Sequence, residues 1–351
     1  MAVGNMGFAV AWDSFEVALA LVGGLLIAGV SSVAFMGYGR ITGLSGIFYS
    51  NITGNCFNSA SLWRLGFLFG LVLAAVLPTV FLPDGLPLAG HVVHFFDPVS
   101  TLEARLPLST AVSAGLLVGV GTMVGSGCTS GHGVCGLPRL APRSFIAVGT
   151  FMATGLIVAT TQYTASPIVS EAAHNDTNLS LSACLLFAIV LLVFKVTALY
   201  QFATNPYAAI DMCISAVLGL LFGFGLLISG MARQSKVLGF LTLSDHWDPS
   251  LAFVMFEAVL FNLFTFQYTL SLGKSLTGRP LPSFPSVIDW KVVIGPAIFG
   301  AGWGLSGLCP GPALMNLFRS DNIVVFVVAL AGGQVLADTL LHLKAPKTKA
   351  N

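Results

Sequence analysis

The stretch GSGCTSGHGVCG, residues 125–136, places two cysteines and a histidine on a backbone rich in glycine. Glycine adopts conformations that other residues avoid, and it lets a chain leave a helix sharply. The segments on either side are apolar and carry almost no charge. The stretch therefore predicts a helix that breaks inside an apolar environment and exposes its softest side chains at the break.

The composition of the chain is that of a membrane protein. Of its 351 residues, 56% are hydrophobic and 8% are charged, whereas a soluble domain carries about 25% charged residues. The net charge of +1 provides no basic surface to neutralise phosphates, so nucleic acid is excluded as a partner. The expected surroundings are a lipid bilayer.

The hydropathy pattern predicts about nine transmembrane helices, since each crossing needs about 20 apolar residues. They lie at 15–37, 62–82, 109–127, 144–163, 181–200, 211–230, 250–270, 290–307 and 322–342.

Four glycine-rich pieces between these spans are too short to cross a bilayer and too apolar for surface loops. We expect short broken or re-entrant helices, which are tolerated where protein or water surrounds the backbone. They are RITGLSGIFYSNITG from Arg40, CTSGHGVCGLPRL from Cys128, RQSKVLGFLTL from Arg233 and CPGPALMNLFR from Cys309.

The basic residues predict the orientation of the chain, because they accumulate on the cytoplasmic side of a membrane. With the C-terminus inside and the N-terminus outside, ten basic residues lie in inner segments and only Arg105, Arg233, Lys236 and Arg319 lie in outer ones. We expect a multi-pass protein of the cell (plasma or inner) membrane. The ten inner residues are Arg40, Arg64, Arg139, Arg143, Lys274, Arg279, Lys291, Lys344, Lys347 and Lys349.

The chain also repeats itself. GVGTMVGSGC, which ends at Cys128, aligns with GAGWGLSGLC, which ends at Cys309; GYGRITGLSG from Gly37 aligns with GMARQSKVLG from Gly230. An odd number of spans separates the two members of each pair, so the halves are predicted to be inverted about a pseudo-two-fold axis. Broken segments at matching positions of inverted repeats indicate a transport site near the midplane.

The predicted organisation is a single membrane domain, 1–351, in which the repeat defines three parts. The first half is 15–163, the connecting helix is 181–200, and the second, inverted half is 211–342.

Three motifs resemble the YeeE/YedE sulfur-transport family: GSGCTSGHGVCGLPRLAPRSFIA, SGMARQSKVLGFLTL followed by WDPSLAFVM, and GWGLSGLCPGPAL. In many bacteria the halves occur as separate small proteins, and this chain resembles their fusion. The resemblance implies an hourglass-shaped transporter or channel for thiosulfate or a related reduced-sulfur anion. It also implies a sulfur-accepting protein on the cytoplasmic side.

By the same resemblance, Cys128 and Cys309 are the central thiols that pass the substrate onward. Family members that take up thiosulfate carry a third cysteine in the first repeat, but the corresponding stretch here, GYGRITG, has none. Thiosulfate is the first expectation, and sulfite, sulfide and related species stay open as alternatives.

The residue chemistry agrees with an anion path. A neutral thiol is a weak donor, and conduction requires binding that is weak enough for release. The N–H groups at a half-helix start bind anions, and cations at the mouths attract them. The predicted pathway residues, with packing as the alternative reading for the half-helix starts, are Cys128, Cys309, Gly127, Ser130, Gly131, Pro310, Gly311, Arg40 and Arg233.

His132 and Cys135 are predicted as neighbours of the pathway. With Cys128 they have a spacing that suits zinc or copper, but a fourth ligand is not apparent, so we expect no metal and no cofactor. Alternatively, His132 bonds a backbone carbonyl. We expect a transporter and not an enzyme; the competing hypothesis is a membrane thiol oxidoreductase or sulfurtransferase that uses Cys128 as nucleophile.

Overall fold

The computed structural model describes residues 12–163, 181–244, 247–284 and 287–344, and it is almost entirely helical. The predicted class, an all-α polytopic membrane protein, is confirmed. The helices are α1 (Ser14–Ser32), α2 (Leu44–Ile52), α3 (Trp63–Phe81), α4 (Val99–Arg105), α5 (Leu108–Gly125), α6 (Pro142–Tyr163), α7 (Leu181–Thr204), α8 (Pro206–Ile228), α9 (Gln234–Leu241), α10 (Ser250–Leu272), α11 (Lys291–Ser306), α12 (Pro310–Met315) and α13 (Asp321–Lys344).

Smaller elements complete the chain. Two π-helical segments, Val33–Gly37 and Thr129–Val134, follow α1 and α5, and a short 3₁₀ turn covers Asn55–Phe57. The strands β1 (Leu86–Leu88) and β2 (His91–Val93) form an antiparallel hairpin, in which Leu86 faces Val93. This hairpin lies between α3 and α4, in the segment that separates the predicted spans 62–82 and 109–127.

Eight helices of the described chain are long and apolar enough to cross a membrane: α1, α3, α5, α6, α7, α8, α10 and α13. The ninth predicted span, 290–307, is α11, which has only 16 residues. At 1.5 Å per residue it is about 24 Å long, less than the hydrocarbon core of about 30 Å. It stops early because the chain turns at Gly307, where φ is 66°.

Short helices occupy all four glycine-rich positions. They are α2, the π-helical segment Thr129–Val134, α9 and α12, and none exceeds nine residues. Whether each one enters the membrane and returns on the same side stays a prediction.

The large helix contacts join the two halves of the chain. Helix α3 packs against α8 and α1 against α10; α5 packs against α13 and α6 against α11; and the pairs α1–α8 and α5–α11 also touch. The connecting helix α7 lies outside this arrangement and packs mainly on α8. An inverted repeat would produce such reciprocal pairs; the division into two inverted halves stays a prediction.

Glycines let the paired helices approach until backbones touch. A Cβ atom at Gly70 of α3 would lie 1.8 Å from the Ala216 carbonyl oxygen of α8, and one at Gly219 of α8 would lie 2.0 Å from the Phe67 oxygen. Small residues at helix interfaces serve this purpose in membranes, where van der Waals packing holds helices together.

We predict that Gly70→Ala weakens the α3–α8 contact, because the new methyl group would meet fixed backbone and not a flexible side chain. Overpacking of this kind costs about 1–3 kcal/mol. The control is Gly29→Ala in α1, where an added Cβ meets nothing within 4 Å. Thermal unfolding in detergent should show a lower transition temperature for Gly70→Ala only; equal transitions would contradict this account of the contact.

Candidate functional site

The two repeated motifs form the same backbone break. Helix α5 ends at Ser126 with φ 63°, and α11 ends at Gly307 with φ 66°. Two residues later each chain is extended at a cysteine, Cys128 (φ −121°, ψ −166°) or Cys309 (φ −103°, ψ 172°), which precedes a short helix. The left-handed turn reverses the chain direction and leaves each thiol at the start of a new helix.

The residues Cys128, Thr129 and Ser130, which we call the turn, carry hydroxyl groups that contact both thiols. The Thr129 hydroxyl donates to Cys309 Sγ across 3.6 Å, and the Ser130 oxygen lies 3.4 Å from Cys128 Sγ. The two cysteines are 1% and 4% exposed. Two predicted central residues thus lie around the same turn, although 181 positions separate them.

Cys135 directly follows the π-helical segment Thr129–Val134. Its sulfur is 3.4 Å from the Thr42 hydroxyl oxygen, which is itself 2.9 Å from the Ser31 oxygen. The N–H of Leu44, at the start of α2, donates to Ser130 Oγ across 3.0 Å. Hydroxyls and thiols therefore form a buried, neutral group of polar side chains.

His132 is held away from the thiols. Its Nδ1 lies 3.2 Å from Ser144 Oγ, and its Nε2 lies 3.1 Å from the carbonyl oxygen of Gly125. The ring fills the space beside Gly127, where a Cβ would come within 2.8 Å of it. Because both nitrogens have partners, the imidazole is not positioned as a base for Cys128. The contact with Gly125 is the bond to a backbone carbonyl that the sequence predicts as the alternative role of His132.

The metal alternative finds no support from the spacing of side chains. Within the described ranges, no three His, Cys, Asp or Glu side chains are grouped so that they could hold an ion. Cys128, His132 and Cys135 instead contact Ser130, Ser144 and Thr42.

A wide cavity of about 830 Å³, which we call the vestibule, opens on one side of the turn. Gly127, Gly131 and His132 form part of its wall. Asp211 is the one acidic side chain among the described residues that line it, against five arginines. The arginines are Arg40, Arg64, Arg139, Arg143 and Arg279.

Arg139 is the arginine nearest to the cysteine turn along the chain. Its Nε donates to the Cys135 carbonyl oxygen across 2.8 Å, and its guanidinium lies 3.6 Å from the centre of the Phe284 ring. Burial lowers the pKa of Arg139 from its ordinary value, but arginine stays protonated in proteins. Its charge therefore remains available to an anion in the vestibule.

A small apolar cavity of about 40 Å³ lies behind the turn. Thr129, Ser130 and Cys309 contribute its polar atoms, and aliphatic, aromatic and methionine side chains form the rest of its wall. It contains no charged side chain among its described lining residues.

The predicted mouth residues Arg40 and Arg233 lie at separate places. Arg40 lines the vestibule and forms an ion pair with Asp211 of α8; Arg233 lines a cavity of about 110 Å³ and pairs with Glu16 of α1 at 3.0 Å. Each arginine follows the first helix of one half and binds the first helix of the other half.

The structure brings the remaining predicted residues to the same region. Gly127 and Gly131 face the vestibule, Ser130 faces the small cavity, and Pro310 and Gly311 are buried at the start of α12. A Cβ at Gly311 would come within 2.4 Å of Leu44 in α2, so the short helices of the two halves touch there.

Sequence reasoning missed part of this site. Arg139 and Arg143 were interpreted as markers of the cytoplasmic side, yet both line the vestibule. Their four-residue spacing just after the cysteine motif was the available signal. Thr42 and Asp211 carried no signal, because their roles depend on contacts with distant segments.

Two comparisons place the chain among known proteins. Residues 210–349 match a family of unknown function, DUF6691. Two proteins of Xylella fastidiosa, strains Temecula1 and 9a5c, are each named "Probable transporter" and are 40% identical to this chain over 139 residues. The match covers 38% of this chain but 93% and 94% of those relatives.

The fold and the site define a class of protein: an all-α polytopic membrane protein in which two buried thiols, Cys128 and Cys309, lie next to a cavity lined by arginines. Because the match covers nearly the whole length of its relatives, the chain belongs to the family of these probable transporters.

We predict that Asp211→Ala strongly destabilises the protein, because Arg40 is only 8% exposed at its side chain and would remain as an uncompensated charge. Removing one partner of a buried pair costs about 3–5 kcal/mol. The matched control is Asp289→Ala: this carboxylate is 34% exposed, and its partner Arg143 keeps a second acceptor, the Val287 carbonyl oxygen at 2.6 Å. We expect this half-exposed pair to contribute about 1 kcal/mol, closer to the ~0–1 kcal/mol of surface pairs.

The measurement is the thermal unfolding transition of both variants in detergent. Equal losses in Asp211→Ala and Asp289→Ala would contradict the assignment of Arg40–Asp211 as the pair that joins the halves.

Proposed function

We propose that this protein carries a small reduced-sulfur anion across the membrane, thiosulfate first and otherwise sulfite, sulfide or a related species. The anion collects in the vestibule and passes the turn between Cys128 and Cys309. The observation that carries this proposal is that the described lining of the vestibule has five arginines and one carboxylate, and that Gly127 in its wall adjoins the buried Cys128.

The vestibule supports an anionic substrate on electrostatic grounds. A cleft lined by one sign of charge and walled by low-dielectric protein raises the local concentration of counter-ions. Asp211 neutralises Arg40 and Arg279 in part, since its carboxylate contacts both. Arg139 has no carboxylate among its described contacts, so it is the cation best placed to hold a transient anion.

The turn itself supports passage and not tight capture. Cys128, Cys309, Thr129 and Ser130 offer polarisable sulfur and weak or neutral donors, and none adds a full charge. Binding must be weak enough for the ion to leave. The N–H groups at the starts of the short helices add partial positive charge.

The orientation follows from the same arginines. All five vestibule arginines belong to the segments that the charge distribution assigns to the cytoplasm. The vestibule therefore faces the cytoplasm in this proposal, with the N-terminus outside and the C-terminus inside. A sulfur-accepting protein would meet the anion at this face.

We expect that Cys128→Ala and Cys309→Ala each abolish uptake of radiolabelled thiosulfate into proteoliposomes, because each removes a donor and a polarisable contact from the turn. The matched control is Cys213→Ala, which removes a half-buried thiol from α8. Unlabelled sulfite, sulfide and sulfate serve as competitors and identify the preferred species. Full uptake by both single variants, with the protein folded, would contradict the thiol path.

We expect that Arg139→Gln raises the KM for the anion about tenfold, which corresponds to ~1.4 kcal/mol, with a smaller effect on kcat. The reason is that this guanidinium concentrates the anion and does not contact it throughout the crossing. Raising the ionic strength should reduce the difference between the variant and the parent, since salt screens such attraction.

The matched control is Lys274→Gln, which removes an exposed cation from the same end of the protein outside the vestibule lining. An equal effect of both substitutions would point to surface charge in general and against the vestibule.

A further inference from the structure

The carboxylate of Asp97 occupies the start of helix α9. One of its oxygens accepts a hydrogen bond from the Ser235 N–H at 2.7 Å, and the other accepts from the Ser235 hydroxyl at 2.5 Å. Asp97 is 6% exposed; Arg105 lies 3.8 Å from its carboxylate, and Arg319 donates to its backbone oxygen at 3.1 Å. Both donors of Ser235 are therefore saturated by one buried negative charge.

This contact differs from the caps of the neighbouring helices. Asp13 caps α1 and Asn205 caps α8, each within three residues of the N–H that it accepts. The residue before α9, Arg233, makes no such side-chain bond, and the carboxylate comes from 138 positions earlier in the chain. Such a contact can be broken without unwinding α9, whereas a local cap moves with its helix.

The start of α9, which the Asp97 carboxylate binds, contacts the break that precedes Cys309. Next to Ser235, the Gln234 amide donates to the Ser306 carbonyl oxygen at 2.7 Å. On the other side of Ser235, Arg233 lines the 110 Å³ cavity. The wall of this cavity includes the start of α1, whereas the vestibule wall includes the chain just after the end of α1, so the two cavities lie at opposite ends of this helix. The start of α9, where Asp97 is bound, thus connects the break before Cys309 with the cavity at the end opposite to the vestibule.

The corresponding position in the first half has only neutral partners. The sequence alignment pairs Ser235 with Thr42. The Thr42 hydroxyl contacts Ser31 and Cys135, and the adjoining Gly43 lines the open vestibule. The same position therefore adjoins an open cavity in one half and a bound carboxylate in the other.

We propose that Asp97 is an internal gate: its carboxylate binds the Ser235 donors as a transported anion would, and it has to withdraw before the anion can pass between Cys309 and the end opposite to the vestibule. This inference rests on the proposed anion transport. It makes Asp97 a positioning residue that controls access and does not contact the anion at the thiols.

The gate can be tested without knowing the substrate. A small anionic methanethiosulfonate reagent is added to the intact protein in detergent, and the modification of Cys309 and of Cys128 is followed by peptide mass spectrometry. Hydrogen bonds to charged groups are stronger than those between neutral groups, so Asp97→Asn should open the contact more often and speed modification of Cys309 about tenfold. The rate at Cys128 should not change.

The matched control is Glu103→Gln, which removes an exposed carboxylate from α4, close to Asp97 in the chain. A second variant, Ser235→Ala, removes one donor while Asp97 stays in place, and it should also speed modification of Cys309, to a lesser degree. Unfolding temperatures of all variants establish that they are folded. An unchanged Cys309 rate in folded Asp97→Asn and Ser235→Ala would overturn the gate.

Proteoliposome uptake then separates the gate from the proposed function. Faster sulfur-anion uptake by Asp97→Asn, with Glu103→Gln equal to the parent, supports both. Faster Cys309 modification without uptake of thiosulfate, sulfite or sulfide by any variant supports the gate and overturns the sulfur substrate. Uptake by the parent that is unchanged in Asp97→Asn overturns the gate alone.

Discussion

The close contact between helices α5 and α11 is the constraint on which the site depends. A Cβ at Gly295 would lie 2.2 Å from the Gly125 nitrogen, so the end of α5 touches the beginning of α11 backbone to backbone. Inside a bilayer, a broken helix must find internal partners for its backbone groups. The Gly127 N–H reaches the Thr122 oxygen at 2.9 Å, and the Gly307 N–H reaches the Trp303 oxygen at 2.7 Å. The breaks are therefore stable, and they bring Cys128 and Cys309 to the same turn.

The two ends of the protein handle their cations differently, and this asymmetry gives the fold a direction. Among the described residues, the vestibule is lined by five arginines and by a single carboxylate, that of Asp211. At the opposite end, Glu16 binds both Arg233 and Lys236, and Asp97 lies near Arg105. The described chain thus has an arginine-lined cavity at one end and cations paired with carboxylates at the other. In the proposed transport of an anion, this pairing is released as the anion passes.

Much of the architecture was accessible from the sequence, because hydropathy and glycine spacing act locally along the chain. The positions of the spans, the four short helices and the matching breaks at Cys128 and Cys309 all follow from such local patterns. The shortness of α11 was harder to anticipate, since hydropathy continues past the turn at Gly307. Partners such as Asp97 for Ser235 or Asp211 for Arg40 could not be predicted, because 138 and 171 positions separate them.

By itself the sequence determined that this chain lies in a membrane, where its helices break and which side chains stand at the breaks. Apolar length and glycine content set these properties residue by residue. Tertiary structure alone decided what the polar residues do. Arg139 and Arg143, which the sequence marks only as cytoplasmic, line the vestibule. His132 contacts Gly125 and Ser144, and the Asp97 carboxylate binds the start of α9. A buried polar group takes its role from the partner that satisfies it. For Asp97 and for Thr42 that partner comes from a distant part of the chain.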